Sequence, residues 1–130
     1  METLALTVDL PVLIQTLFDD WLDSEKHAAF TGSPAVIDAR TGGKFTAWDG
    51  YISGKTLEIE PPRRILQSWR TTEFAADDAD SVLELLFEPI PAGTRLTLHH
   101  SQIPDGQAGM YREGWEEYYF DPMLEYYSSH

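Results

Sequence analysis

His100 is the residue whose type and setting offer most chemistry. It lies in the run Arg95-Leu96-Thr97-Leu98-His99-His100-Ser101 and shares the parity of Leu96 and Leu98. In a strand that parity sends all three side chains to one face. An inward imidazole can hydrogen-bond a ligand or act as a general base. The same position also suits a core histidine satisfied by a neighbouring hydroxyl, such as a helix tyrosine. His99 has the opposite parity and is expected in solvent, and His27 and His130 are expected at the surface. Ser101 follows His100 directly and points to the other face, so the two cannot form a nucleophile–base pair. No GxSxG, GxGxxG or Walker A pattern occurs, and Gly42-Gly43-Lys44 lacks the spacing of a phosphate loop. With no cysteine and no HExxH spacing, neither a metal nor a cofactor is expected. Asp77, Asp78 and Asp80 lack the ligand pattern of a calcium loop and read as a solvated turn. Arg70 is expected to pair with Glu58 or Glu84 across strands, or else to hold an anionic head-group.

The second chemical resource is aromatic. Trp48, Trp69, Phe74, Phe87, Tyr111, Trp115, Tyr118 and Tyr119, with Leu98 and His100, are candidates for the lining of an apolar pocket. Rings with polar tips commonly line small-molecule sites, and the same residues equally suit a packed core. Whether Phe45 or Trp48 faces inward stays open, because Gly50 and Gly54 can shift the register.

These residues need elements to hold them. Leu4, Leu6 and Val8 alternate as a strand; Asp9 is a candidate cap, and residues 11–20 have helical spacing with Leu13, Leu17 and Phe18 on one face. A second short helix, capped by Asp23 or Ser24, runs through Glu25 to Ala28 and ends at Gly32-Ser33-Pro34. Strands are predicted at 35–40, 44–48, 51–60 (Gly54 marking a candidate bulge), 64–72, 81–88 and 94–101, joined by turns such as Asp49-Gly50 and Pro91-Ala92-Gly93. From Ala108 the period is helical again: Tyr111, Trp115, Tyr118/Tyr119 and Met123 recur at three- and four-residue steps, with Glu113, Glu116, Glu117 and Glu125 opposite. Pro122 is expected to kink this helix or tighten one turn. Tyr126 and Tyr127, if exposed, would suit a dimer contact, so monomer and homodimer both stay open. The order is β-α-α-β-β-β-β-β-β-α, an α+β chain whose curved antiparallel sheet must be covered by its long last helix.

The chain has 130 residues, one domain's worth, with 22 acidic and 9 basic residues and a net charge of −13. That charge opposes binding to nucleic acid or to anionic membranes. No apolar run reaches membrane-spanning length, and the start, Met1-Glu2-Thr3, lacks the features of a signal peptide, so a cytoplasmic location is expected.

Gly42-Gly43-Lys44-Phe45, Asp49-Gly50, Gly54, Glu60-Pro61-Pro62-Arg63-Arg64-Ile65, Ser68-Trp69-Arg70, Gly93-Thr94-Arg95-Leu96-Thr97-Leu98 with His100, and Gly114-Trp115 … Tyr118-Tyr119-Phe120 with Pro122-Met123 together resemble the Aha-type family. This family belongs to the START and birch-pollen-allergen (SRPBCC) superfamily. The resemblance spans nearly the whole chain and implies a helix-grip fold: six or seven strands wrapped around a C-terminal helix, with a cavity between. It implies an apolar or aromatic small-molecule ligand. The alternatives it implies are modulation of a heat-shock chaperone ATPase, and a cyclase- or hydrolase-type enzyme with His100 as base and a helix tyrosine as acid. The chaperone-activating relatives carry a further N-terminal domain, expected to be absent from a chain that begins at the first helix-grip strand.

Overall fold

A computed structural model describes residues 1–129; His130 lies outside the described residues. The chain runs β1 (Glu2–Leu10), α1 (Ile14–Leu22), α2 (Ser24–Thr31), β2 (Val36–Ile37), β3 (Lys44–Ala47), β4 (Ile52–Glu60), β5 (Arg64–Thr71), β6 (Ser81–Ile90) and β7 (Gly93–Ile103). A C-terminal helix follows in three pieces: α3 (Ala108–Trp115), a π turn (Glu116–Phe120) and α4 (Asp121–Ser129). Among the described residues, seven strands form one antiparallel sheet in the order β1-β7-β6-β5-β4-β3-β2. The first strand therefore closes one edge against the last, and the α1–α2 pair carries the chain across to the other edge.

Alternation sets the buried face of the long strands. Ile65, Gln67, Trp69 and Thr71 of β5, Leu83, Leu85 and Phe87 of β6, and Leu96, Leu98 and His100 of β7 all point inward. The bulge in β4 falls between Thr56 and Glu58, not at Gly54. Gly54 serves a different need, since a Cβ there would collide with the Ser68 carbonyl oxygen. Strand β2 is shorter than the predicted 35–40 span, because the chain turns at Asp38–Arg40 and Gly43 N–H donates to Arg40 O at 2.9 Å.

Helix α1 starts later than its sequence suggests. Leu13 occupies the cap position with no side-chain bond and is exposed, while Leu17, Phe18, Trp21 and Leu22 form the buried stripe. Asp9 is no cap; it forms a two-pronged pair with Arg95 of β7 at 2.8 and 3.1 Å. Asp23 does cap α2, accepting from Lys26 N–H at 3.0 Å, and Gly32 closes it in the left-handed region, φ 81°.

The π turn has a cause legible in the spacing. Tyr111, Trp115, Tyr119, Met123 and Tyr127 recur every fourth residue and are all buried. In a helix of about 3.6 residues per turn that spacing drifts by about 40° per step and would carry the stripe halfway round the cylinder. One wide turn, in which Asp121 N–H donates to Glu116 O, absorbs an extra residue and returns the stripe to the sheet. Pro122, expected to kink the helix or tighten a turn, instead follows this widened one. It has no N–H to offer Tyr118 O in any case.

Candidate functional site

Between the β3–β4 end of the sheet, β5 and the C-terminal helix lies a half-open cavity of about 440 Å³. Trp48, Tyr51 and Ile52 line it from the β3–β4 connection, Trp69 from β5, and Met110, Tyr111, Gly114, Trp115, Tyr118 and Tyr119 from the helix. Among the described residues none of these is His, Asp, Glu, Lys or Arg. Six of the ten sequence candidates thus come together here: Trp48, Trp69, Tyr111, Trp115, Tyr118 and Tyr119.

The other four lie elsewhere. Phe74 sits in the β5–β6 loop behind Trp69 and Tyr111, its ring under the Arg70 guanidinium at 5.3 Å. Phe87 packs edge-on against Phe18, centroids 5.3 Å apart, under α1. Leu98 and His100 are fully buried in the sheet's inner layer. Between Phe45 and Trp48 the geometry decides: Phe45 is a core residue beside Gly54, and Trp48 faces the cavity. Sequence reasoning passed over Tyr51, Ile52, Met110 and Gly114. For the last two a signal existed, since they stand four apart on the helix beside Tyr111 and Trp115.

The turn that presents Trp48 is unusual. Trp48, Asp49 and Gly50 all take positive φ, at 51°, 56° and 87°. Only the glycine does so without penalty, so the first two store strain at the cavity wall. Trp48 meets the half-exposed Tyr118 edge-to-face, centroids 5.4 Å apart. Its indole nitrogen is shielded from solvent and has no hydrogen-bond partner.

Behind the cavity, two histidines hold the aromatic layer together, and their tautomers follow from their neighbours. The Trp115 indole N–H donates to His100 Nδ1 at 3.1 Å, so that nitrogen is the acceptor. His100 Nε2–H then donates to Ser81 Oγ at 2.8 Å, and Ser81 Oγ–H donates to Trp69 O at 2.6 Å. This relay runs opposite to a serine–histidine catalytic pair, in which the imidazole must accept the serine proton. Burial drives the His100 pKa down to about 3. With no cavity wall and no free nitrogen, His100 is placed as a structural residue, and a general-base role finds no support.

His27, expected at the surface, is also buried. Its Nδ1–H donates to Trp21 O at 2.9 Å, and its Nε2 accepts from Tyr119 O–H at 2.8 Å. Burial lowers its pKa to about 4 and raises that of Tyr119. Tyr111 O–H donates to Gln107 Oε1 at 2.7 Å and accepts from Thr71 at 2.6 Å; burial pushes its pKa up to about 12. Tyr127, offered for a dimer patch, is buried instead and donates to Asp20 Oδ2 at 2.8 Å. Arg70 pairs with Asp80 at 2.9 Å and donates to the Asp78 and Ala75 carbonyls, whereas Glu58 and Glu84 belong to Arg64 at 2.9 and 2.7 Å.

The family described as Activator of Hsp90 ATPase homolog 1-like protein matches residues 11–127. The chain belongs to this family. Among its Aha1-like relatives, activator of 90 kDa heat shock protein ATPase homolog 2 of Mus musculus is 31% identical over 120 residues, covering 92% of this chain and 36% of that protein. Homolog 1 of Homo sapiens is 30% identical over 111 residues, covering 85% and 32% respectively. The chain thus spans about a third of the length of these Aha1-like relatives. The crystal structure of an HSP90 activator from Plasmodium falciparum superposes with a TM-score of 0.84 at 26% identity, over 92% of this chain and 91% of that one. The helix-grip architecture of the Aha1-like family is therefore present in full, and no described helix is long and apolar enough to cross a membrane.

Proposed function

We propose that this chain docks on a cytoplasmic chaperone of the 90 kDa heat-shock class and modulates its ATPase. The observation carrying this reading is the near end-to-end correspondence, in fold and in size, with the HSP90 activator from Plasmodium falciparum. The outward side of the C-terminal helix supports it with exposed Glu113, Glu116, Glu117, Asp121 and Glu125 on a chain of net charge −13. Such a face steers association with a basic surface and makes it salt-dependent. The test is the ATPase rate of the chaperone from the same organism, with and without the chain, at low and high salt. A changed rate that weakens with salt is expected; an unchanged rate at saturating protein refutes the proposal.

A second reading, an apolar small-molecule carrier, is favoured by the cavity itself. Its volume of about 440 Å³ falls in the range of ordinary ligand sites, and its walls are aromatic and uncharged. Native mass spectra and hydrophobic-probe binding test it; no uptake at micromolar concentration removes it.

A further inference from the structure

The cavity's floor is a glycine that the helix does not need. Gly114 lies inside α3, its φ is not in the left-handed region, and a Cβ there would meet only Tyr118 Cδ2 at 4.0 Å. Glycine is the weakest helix former after proline, and no close approach demands it here. What its missing side chain leaves is open space in a cavity whose walls include the rings of Trp48, Trp69, Trp115 and Tyr118. Ring faces and edges recognise a planar π system best, and a wall without ionic groups leaves a charged ligand unpaired.

One lining group has an unmet demand. The Trp48 indole N–H is shielded and unpaired, on a strained backbone at the rim. No solvent contact is lost when an acceptor reaches it, whereas leaving a buried donor unpaired is costly. Tyr118, 50% exposed and in the π turn, packs edge-to-face on the Trp48 ring, so a ligand reaches the covered N–H by displacing neighbouring side chains, of which this ring is the most exposed to solvent.

We propose that the cavity takes a neutral, flat aromatic compound that inserts over Gly114 and presents a carbonyl-type acceptor to the Trp48 N–H. The inference rests on the small-molecule reading above and is independent of the chaperone reading. Trp48 is then the specificity-determining residue, and Gly114 the one that admits the ring.

Two naphthalene probes of matched shape separate the claims: 2-acetylnaphthalene, with a carbonyl oxygen, and 2-isopropenylnaphthalene, with a methylene in its place. Equilibrium dialysis measures both against the full chain, Trp48→Phe and Gly114→Leu. Both probes should bind the natural chain, and Gly114→Leu should weaken both at least tenfold. Trp48→Phe should reduce the preference for the ketone over the hydrocarbon about tenfold, the loss of one hydrogen bond. The Trp48 indole proton should also move downfield in NMR spectra on adding the ketone and not the hydrocarbon, a readout needing no variant. If both probes bind but neither the preference nor the indole proton responds, the acceptor assignment is overturned while the small-molecule reading survives. Unweakened binding to Gly114→Leu overturns the placement. If neither probe binds the natural chain, both fall together.

Discussion

Acidification alone should strip this domain of much of its stability well before its surface carboxylates are protonated. His27 and His100 are buried and neutral, with pKa values brought down from 6.5 to about 4 and about 3. In the unfolded chain both titrate near 6.5, so between that value and 4 the unfolded state binds protons that the folded state refuses. Their contribution is therefore whole above pH 6.5 and is lost as the pH falls toward 4 for His27 and 3 for His100. A pH of about 5 lies about 1.5 units below the unfolded pKa and above both folded values, so each imidazole loses about 2 kcal/mol there, or about 4 kcal/mol for the pair. Against a total of about 5–15 kcal/mol for an ordinary domain, that is a large share. Asp20 acts the other way: burial raises its pKa, so its contribution improves as the pH falls through that raised value and offsets part of the loss. Urea unfolding at about pH 7.5 and about pH 5, in high salt to screen the repulsion among surface charges, measures the difference. With a urea dependence of about 2 kcal/mol per molar, the midpoint should fall by about 2 M. A midpoint that does not move would refute the assignment of both rings as buried neutral bases.

Two further substitutions test the packing. Gly114→Ala should stabilise the helix by about 0.5–1 kcal/mol, read as a rise in thermal midpoint, because its Cβ finds free space. Ser81→Ala removes the acceptor of His100 Nε2–H in a site closed to water; it should cost about 2 kcal/mol in urea unfolding.

The order of elements along the chain and the buried face of β5–β7 were legible because each of those strands has one wet face and one dry, and alternation reports that directly. Alternation names a face, not a place along it. Phe87, Leu98 and His100 share the inner face with Trp69, yet only Trp69 reaches the cavity, which occupies the β3–β5 end. His27 was unreadable for a different reason: its helix has little amphipathic pattern, and its burial depends on Tyr119, far along the chain. Trp48 escapes periodic rules because its backbone leaves the strand conformation at that residue. The four-residue spacing of the last helix was visible, but its consequence, a widened turn rather than a tightened one, needed the drift of the stripe to be followed through to Tyr127.

That widened turn makes the length of the segment matter more than its composition. Were the same residues wound as an ordinary helix, without the wide turn at Glu116–Phe120, the final two turns would swing by about 100°. Met123 and Tyr127 would then rotate toward water, and the Asp20 carboxylate would be left in the interior without its phenol. A one-residue deletion inside the wide turn would instead remove its extra residue and leave Met123 and Tyr127 facing the sheet, whereas a one-residue insertion there would swing both away.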